Sequence, residues 1–366
     1  MHISKNTMLD LLDHSDLTLG IQKFSSLEID NSDFLNSEQM AHFFVNSALL
    51  VSILSFVKEQ AWLQDKEDKK QNSSTSYEEL IDNLFSTEIE LMNFVRKYII
   101  KTGRNNIGKL SSKTKLLETM IISLVKDRTP KEKKKFVIQS LKEMSKHFIF
   151  EEKLQNGRLQ HLGHRGPRLY RTFDKLDEIF EIDYGLDQSR NIKNDNNERL
   201  YEGAGVGVQS GYSTILLSLI NSSPSHGSRI VDLGSGYGRV GLVCSLLRPD
   251  IEFVGFEYVP HRVEVSNIAC HDLDLADNLS FKTQDLSLST FKIPEADIYY
   301  LYDPFTKETY QYVLKQIVEV SKSRDVTIIT KGNARSWLLD ISKAHGWQSP
   351  IFIDEGNLCI FKSSKE

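Results

Sequence analysis

The chain has 366 residues, 40% hydrophobic and 26% charged, a length and composition typical of a soluble globular protein with about two domains. Its formal net charge of -5 argues against a strongly basic nucleic-acid-binding protein. The three cysteines match no zinc-binding spacing, and the N-terminus lacks the basic start and apolar middle of a secretory signal. We therefore expect a reducing, cytoplasmic setting and no metal site, with export by a specialised secretion route left open.

Residues 1–150 have the pattern of an all-α domain. Apolar residues recur at helical spacing in the stretches 49–57, 80–95, 113–125 and 131–148. Pro130 is well placed to begin the last of these helices, and a polar tract over residues 71–76 separates two earlier ones. We expect this domain to bind a substrate or partner, or to regulate the rest of the chain.

One stretch of this domain is long enough to cross a membrane. Residues 39–57 contain no Asp, Glu, Lys or Arg. They do contain His42, Asn46 and several serines, polar groups that a hydrocarbon environment would penalise. The pattern therefore predicts a buried helix of a bundle and no membrane association.

Charge is unevenly distributed in the same domain. Residues 1–100 hold 8 Lys and Arg against 16 Asp and Glu, whereas residues 101–150 hold 13 against 4. Such a basic segment is either a solvated helix face or a docking surface for an acidic protein or for RNA.

Residues 151–207 form a polar connection that is either a linker or a lid. Three arginines, Arg165, Arg168 and Arg171, lie in it, as do His161 and His164, which lack further ligands at metal spacing and are interpreted as surface residues. The glycine-rich stretch 201–210 is either a gate over a bound cofactor or a flexible linker.

From residue 208 onwards, strands alternate with helices, which predicts a parallel, doubly wound sheet. The predicted parallel strands are residues 230–233, 251–256, 279–283, 296–301 and 326–330. Two further stretches, 347–353 and 358–362, are interpreted as a closing antiparallel hairpin.

The strongest signal follows the first of these strands. Asp232 precedes a turn with glycines at 234, 236 and 238, after which an apolar helix begins. Missing Cβ atoms let a ligand lie against such a turn, and the helix N-terminus offers free N–H groups. The stretch also matches a dinucleotide fingerprint, but a carboxylate before the turn would repel a pyrophosphate and can hold the ammonium of a methionine moiety. We therefore favour S-adenosylmethionine over a nicotinamide cofactor.

Acidic residues follow three of the later predicted strands or lie close to their ends. Glu257 stands about 20 residues beyond the turn, where a carboxylate binds ribose hydroxyls. Asp285 either accepts a hydrogen bond from the adenine amino group or serves as an ordinary turn residue. Asp303, in Tyr302-Asp303-Pro304-Phe305, is placed to orient or deprotonate a nucleophile, unless the proline merely ends the strand.

Residues 208–362 resemble the seven-stranded, Rossmann-like class I methyltransferase family, with strands and helices in the expected order. The resemblance implies a cofactor site made of Asp232, Gly234, Ser235, Gly236, Gly238, Glu257, Asp285 and Asp303. It also implies catalytic roles for Asp303, Tyr302 and Phe305, because the motif is similar to the Asn/Asp-Pro-Pro-Tyr/Phe motif of amino-directed methyltransferases, with one proline missing. Residues 208–366 are thus expected to be the S-adenosylmethionine-binding domain.

The expected function is methyl transfer from S-adenosylmethionine to a nitrogen of a protein acceptor. Residues 232–236 with an upstream helical domain are similar to non-SET protein-lysine methyltransferases, which favours a lysine-type acceptor. An RNA acceptor is the alternative, because the basic segment 101–150 is able to follow phosphates. A small-molecule acceptor or a non-catalytic scaffold with the cofactor fold comes next.

Overall fold

The computed structural model of the protein describes residues 36–87, 93–155, 172–185, 187, 209–302, 306–330, 334–353 and 358–364. The chain divides into two compact units. One comprises Met1–Phe150 with Gly157–Lys175, and the other comprises Glu151–Asn156 with Leu176–Glu366. We call the first the helical unit and the second the sheet unit.

The helices of the first part of the chain confirm the predicted all-α character. They are α1 (Ser37–Gln71), α2 (Tyr77–Thr87), α3 (Asn93–Thr102), α4 (Ile107–Lys126) and α5 (Pro130–Gln155). The polar tract separates α1 from α2, and Pro130 occupies the first position of α5, where its missing N–H costs no hydrogen bond. The predicted pattern over residues 80–95 corresponds to parts of two helices, α2 and α3.

Helix α1 is the long apolar helix of this unit. It begins at a capping box, in which the side chain of Asn36 accepts from the N–H of Gln39 and the side chain of Gln39 accepts from the N–H of Asn36. By length and composition it is able to cross a membrane, but 78% of its most apolar window is buried in the structure. Phe44 lies against Phe136 and Phe173, at ring-centroid distances of 5.7 and 6.4 Å. This packing favours the predicted buried helix.

The sheet unit contains seven strands, in the order β3-β2-β1-β4-β5-β7-β6. They are β1 (Arg229–Leu233), β2 (Glu252–Glu257), β3 (Leu279–Thr283), β4 (Ile298–Leu301), β5 (Thr327–Thr330), β6 (Ile351–Ile353) and β7 (Leu358–Lys362). The first five run parallel, and β7 pairs antiparallel with both β5 and β6. The predicted seven-stranded sheet with a closing hairpin is therefore confirmed.

The helices of the sheet unit largely alternate with the strands, except that α6 precedes β1 and no helix lies between β3 and β4. They are α6 (Tyr212–Ser222), α7 (Arg239–Leu247), α8 (Pro260–Asp272), α9 (Lys307–Ser321) and α10 (Ala334–His345). Buried apolar side chains of β1, β4, β5 and β7 form a core with α9 and α10. The prediction of a strand from residue 347 is wrong over 347–350, because Pro350 has no N–H to donate and β6 begins only after it.

The strand order fixes where a ligand is expected. From β1 the chain winds outwards through β2 to β3 and then returns to β4 on the other side of β1. In open α/β sheets, ligands bind at the carboxyl ends of the strands where the winding direction reverses. This reversal point lies between β1 and β4, at the loop that follows Leu233.

Candidate cofactor site

The glycine loop, residues 234–238, joins β1 to α7 and is fixed to the end of β2. Its glycines have φ angles of +95° at Gly234, +55° at Gly236 and +78° at Gly238, a region that other residues rarely adopt. The N–H groups of Gly234 and Ser235 both donate to the carbonyl of Phe256, at 2.8 and 2.9 Å. The residue types at these positions are therefore required by the backbone path.

The glycines around this loop differ in what they lie against. A Cβ at Gly238 would lie 2.7 Å from Cζ of Phe281, and one at Gly255 would lie 2.5 Å from Cδ1 of the same ring. At Gly236, in contrast, the three nearest atoms all belong to the side chain of Gln209, with Nε2 at 2.9 Å. Gly238 and Gly255 thus permit packing within the unit, whereas Gly236 faces a polar side chain.

Asp232 lies in β1, between Gly255 of β2 and Tyr300 of β4. Its side chain is buried, and its Oδ2 has no hydrogen-bond partner among the described residues. Burial raises the pKa of this carboxyl well above its usual value, and the charge of Glu257 raises it further. A buried carboxylate without a partner is costly, so Asp232 is a strong acceptor for a cationic or N–H-bearing ligand.

Two more buried polar atoms at the loop lack partners in the part of the chain that the structure describes. They are the hydroxyl of Ser235 and Nε2 of Gln209. Buried polar atoms are normally hydrogen-bonded, and such an exception calls for an explanation. With Asp232, the loop thus carries one acceptor and two donors that are able to bind a ligand with both ammonium and carboxylate groups.

Glu257, at the end of β2, is held against the glycine loop. Its Oε2 accepts from the N–H of Gly236 at 2.8 Å, and its Oε1 accepts from the N–H of Val259 at 3.0 Å. A carboxylate has about four lone-pair sites, so these bonds leave capacity for ribose hydroxyls. The loop and this carboxylate therefore form one rigid assembly.

The remaining predicted positions are only partly described. Asp285 accepts from the N–H and the hydroxyl of Ser287, at 2.9 and 2.6 Å, which is the geometry of a turn residue. Tyr302 is stacked on Tyr300, with 6.2 Å between the ring centroids. Asp303 and Phe305 lie outside the described residues, as do His161, His164 and most of the predicted gate. Within the described ranges, no group of His, Cys, Asp and Glu side chains is placed to hold a metal ion.

Two buried ion-pair networks beside the loop were not expected from the sequence. In the first, the guanidinium of Arg239 binds both carboxylate oxygens of Asp177, which also accepts from the hydroxyls of Tyr184 and Tyr212 at 2.7 and 2.6 Å. Arg239 directly follows the glycine loop and is the only charged residue of α7. An arginine in an otherwise apolar helix is a sequence signal that could have pointed to a buried partner, although it does not say which one.

The second network surrounds Asp187. Arg262 donates to both oxygens of this carboxylate, at 3.2 and 2.9 Å, and Nε2 of His261 lies 2.7 Å from Oδ1. The hydroxyl of Tyr237, within the glycine loop, donates to Oδ1 at 2.9 Å. Burial opposes ionisation of Asp187, but Arg262 holds the pKa of its carboxyl below the usual value.

No protein-family model and no curated protein matches the chain. Solved structures similar to part of it include a precorrin-6Y methyltransferase from Geobacter metallireducens, with 12% identity and a TM-score of 0.34 over 43% of this chain and 91% of that chain. An RNA methyltransferase from Salinibacter ruber, in complex with S-adenosyl-L-homocysteine, has 18% identity and a TM-score of 0.33 over 42% of this chain and 92% of that chain. The seven strands and their order carry the structural conclusion. The sheet unit has the fold of the class I methyltransferases.

At these identities and scores the similarities carry no argument about the reaction of this chain. A TehB-like S-adenosylmethionine-dependent methyltransferase from Corynebacterium glutamicum is similar at the same level, with 15% identity and a TM-score of 0.31 over 40% of this chain and 85% of that chain. Cofactor and acceptor have to be argued from the site itself.

Proposed function

We propose that this chain is an S-adenosylmethionine-dependent methyltransferase that methylates a nitrogen of a protein acceptor, of the lysine type. The observation that carries the cofactor assignment is the buried Oδ2 of Asp232, next to the glycine loop in sequence, which has no hydrogen-bond partner among the described residues. The methionine end of the cofactor bears an ammonium, and a carboxylate at this place is able to accept its hydrogen bonds.

The other groups at the loop fit the same ligand. The hydroxyl of Ser235 and Nε2 of Gln209 are donors for the methionine carboxylate, and Glu257 lies where the ribose hydroxyls of the cofactor are expected. A pyrophosphate would bring further negative charge next to Asp232, which disfavours a nicotinamide cofactor. When bound, the cofactor supplies a methyl group on a cationic sulfur.

The chain would contribute mainly placement of the acceptor. Tyr302 stacks on the buried Tyr300 at the carboxyl end of β4, so the partly exposed ring of Tyr302 borders the reversal point of the sheet. Aromatic faces attract a cationic sulfonium or amine, and Asp303 and Phe305, which follow in sequence, are proposed to orient the acceptor nitrogen there. A protein acceptor is favoured because the large helical unit offers a surface for a large partner.

RNA is the second candidate acceptor. The basic segment falls on α4 and α5, where Lys109, Lys115, Lys131 and Lys135 are exposed. Exposed lysines on neighbouring stretches of chain are able to contact successive phosphates, and such binding would weaken steeply with salt. The negative net charge of the whole chain weighs against it.

The cofactor is tested by calorimetric titration of the full chain with S-adenosylmethionine and with NADH. We compare the wild type with Gly236→Arg, whose side chain would occupy the ligand side of the loop, and with the control Gly227→Arg. Gly227 also has a positive φ, +74°, but a Cβ there would meet no atom within 4 Å. Both variants carry similar backbone strain, so loss of binding in Gly236→Arg alone would locate the cofactor at the loop.

The expected result is binding of S-adenosylmethionine by the wild type and by Gly227→Arg. Folded wild-type protein that binds no S-adenosylmethionine would overturn the proposed function. Transfer of a labelled methyl group to lysate protein or to RNA then separates the two acceptor classes, and a ribonuclease-sensitive product would replace the protein acceptor by RNA.

A further inference from the structure

Asp187 connects two parts of the proposed cofactor site, although it precedes the sheet by about forty residues of sequence. Through the hydroxyl of Tyr237 it holds the glycine loop, at 2.9 Å. Through the guanidinium of Arg262 it holds the first part of α8. Asp187 is itself buried, so this arrangement is shielded from solvent.

Arg262 extends the connection to Glu257. Its NH1 lies 3.6 Å from Oε1 of Glu257, while its Nε and NH2 are engaged by Asp187. Burial disfavours the charged form of Arg262, but Glu257 and Asp187 together hold the pKa of its guanidinium above the usual value. One buried cation is therefore shared between two carboxylates.

Because Arg262 is shared with Asp187, it fixes the orientation of the carboxylate of Glu257. A guanidinium held bidentately by one carboxylate keeps a fixed orientation and leaves only one nitrogen for a second acceptor. Without the charge of Asp187, Arg262 would be free to bind Glu257 bidentately. The carboxylate of Glu257 would then turn from the glycine loop, and fewer of its lone pairs would be available to a ribose.

We propose that Asp187 is a positioning residue of the cofactor site, which acts through Arg262 to orient Glu257 toward the ribose hydroxyls of S-adenosylmethionine. The inference rests on the proposed function. It assigns a binding role to a residue of the segment that precedes the sheet, which would otherwise be interpreted as a linker.

The test uses two ligands and a matched pair of variants in the full chain. The ligands are S-adenosylhomocysteine and its analogue without the ribose 2′-hydroxyl, and the measured quantity is the ratio of their dissociation constants. The variants are Asp187→Asn and Asp177→Asn. Asp177 is also buried and also binds an arginine and tyrosines, but its arginine is Arg239 and not Arg262.

We expect the wild type to prefer the ribose ligand and Asp187→Asn to lose about tenfold in its affinity for that ligand, on the scale typical of groups that orient a binding residue. The analogue, which keeps only the 3′-hydroxyl, should lose less affinity in the variant, so the preference for the ribose ligand should fall. Asp177→Asn should keep the wild-type ratio even where it lowers the melting temperature, because a purely structural loss affects both ligands equally.

An unchanged ratio in folded Asp187→Asn would overturn the positioning role and leave the proposed function intact. Failure of the wild type to bind either ligand would overturn both. If Asp187→Asn does not fold, Arg262→Lys replaces it, because a lysine keeps the charge but is unable to bridge two carboxylates in a fixed geometry. The same loss of preference is then expected, and its retention would contradict the proposal.

Discussion

Two kinds of buried aspartate occur in the sheet unit, and they differ in what satisfies the carboxylate. Asp177 and Asp187 are each bound by an arginine and by tyrosine hydroxyls. Asp232, which is at least as deeply buried, has an oxygen without any partner in the described part of the chain. Asp177 and Asp187 therefore stabilise the folded structure, whereas Asp232 keeps an oxygen that is available to a ligand.

The difference separates groups that hold the site from groups that bind its ligand. A buried ion pair with all its hydrogen bonds made is stable as it stands and gains little from a ligand. A buried carboxylate oxygen without a partner lowers the stability of the free protein. When a ligand donates a hydrogen bond to it, the penalty is removed, and this gain contributes to the binding free energy. Removing the charged partner of a paired aspartate should therefore lower stability, whereas neutralising Asp232 should lower ligand affinity.

The largest expected effect is that of Arg239→Leu. It leaves the carboxylate of Asp177 buried without its cation, and the loss of one partner of a buried pair costs about 3–5 kcal/mol of the free energy of unfolding. The measurement is urea unfolding followed by circular dichroism. Arg335→Leu is the control, because Arg335 is partly exposed and its guanidinium lies over the ring of Phe352. Equal stability of the two variants would contradict the structural role of Asp177.

Asp232→Asn should behave in the opposite way. Because the carboxylate has an unpaired buried oxygen, its neutral replacement should leave the free energy of unfolding unchanged or raise it. The affinity for S-adenosylmethionine should fall about 10- to 100-fold, since a charge-assisted hydrogen bond contributes about 1.5–3 kcal/mol. Calorimetry and urea unfolding of the same preparation measure both quantities. Wild-type affinity in a folded Asp232→Asn protein would show that this carboxylate does not hold the ammonium.

Binding of S-adenosylmethionine should be coupled to the ionisation of Asp232. The pKa of Asp232 is raised by burial and then by Glu257, so the free folded protein holds this proton more tightly than an ordinary aspartate does, whereas an ammonium ligand requires the ionised form. Binding should therefore release up to about one proton, and affinity should fall as the pH is lowered. Calorimetry in buffers of different ionisation enthalpy measures this release, and Asp232→Asn should not show it.

The contributions of Asp187 and Asp232 to the free energy of unfolding should depend on pH with opposite signs. Its pKa is lowered in the folded protein, so the stability that it contributes is present above the unfolded-state pKa and is lost as the pH falls through the folded-state pKa. The carboxyl of Asp232, with its raised pKa, destabilises the free protein at high pH and ceases to do so when it is protonated. Unfolding curves of the wild type, Asp187→Asn and Asp232→Asn separate the two signs, below about pH 4 for Asp187 and above about pH 4 for Asp232, because an unperturbed aspartate titrates at about pH 3.9.

The smallest effect is expected at an exposed ion pair. Lys322 donates to both oxygens of Glu319 at 2.7 and 2.8 Å, but both side chains are well exposed to solvent. Water and salt screen such a pair, and its members give up side-chain freedom to form it. We expect Lys322→Ala to leave the midpoint of urea unfolding unchanged within error. A clear destabilisation would mean that burial is not what distinguishes Arg239.

The sheet unit was largely predictable because its signals are local. Buried parallel strands appear as short apolar runs, and the loop after β1 requires glycine at positions with positive φ. The beginning of β6 was placed too early because Trp347 was counted as its first residue, although the polar Gln348 and Ser349 and then Pro350 precede the strand. In the helical unit, spacing and Pro130 were sufficient to predict most of the helices.

The ion-pair networks were not predictable because their partners are distant in sequence. Arg239 and Asp177 are 62 positions apart, and Arg262 and Asp187 are 75 apart. Both aspartates lie in a polar stretch that resembles a linker, and no periodic pattern identifies an isolated buried carboxylate. The unpaired oxygen of Asp232 was also not predictable from the sequence, because it depends on which donors the folded chain brings within hydrogen-bond distance.

The ring of Phe281 occupies the space in which Cβ atoms of Gly238, Gly241 and Gly255 would lie. These positions are therefore coupled in variation as well as in space, because none of the glycines is able to acquire a side chain while the phenylalanine keeps its size. A smaller residue at 281 would have to appear first, or together with the change. Among related chains we expect Phe281, Gly241 and Gly255 to change together, whereas the positive φ angles of Gly236 and Gly238 should keep glycine there whatever residue stands at 281.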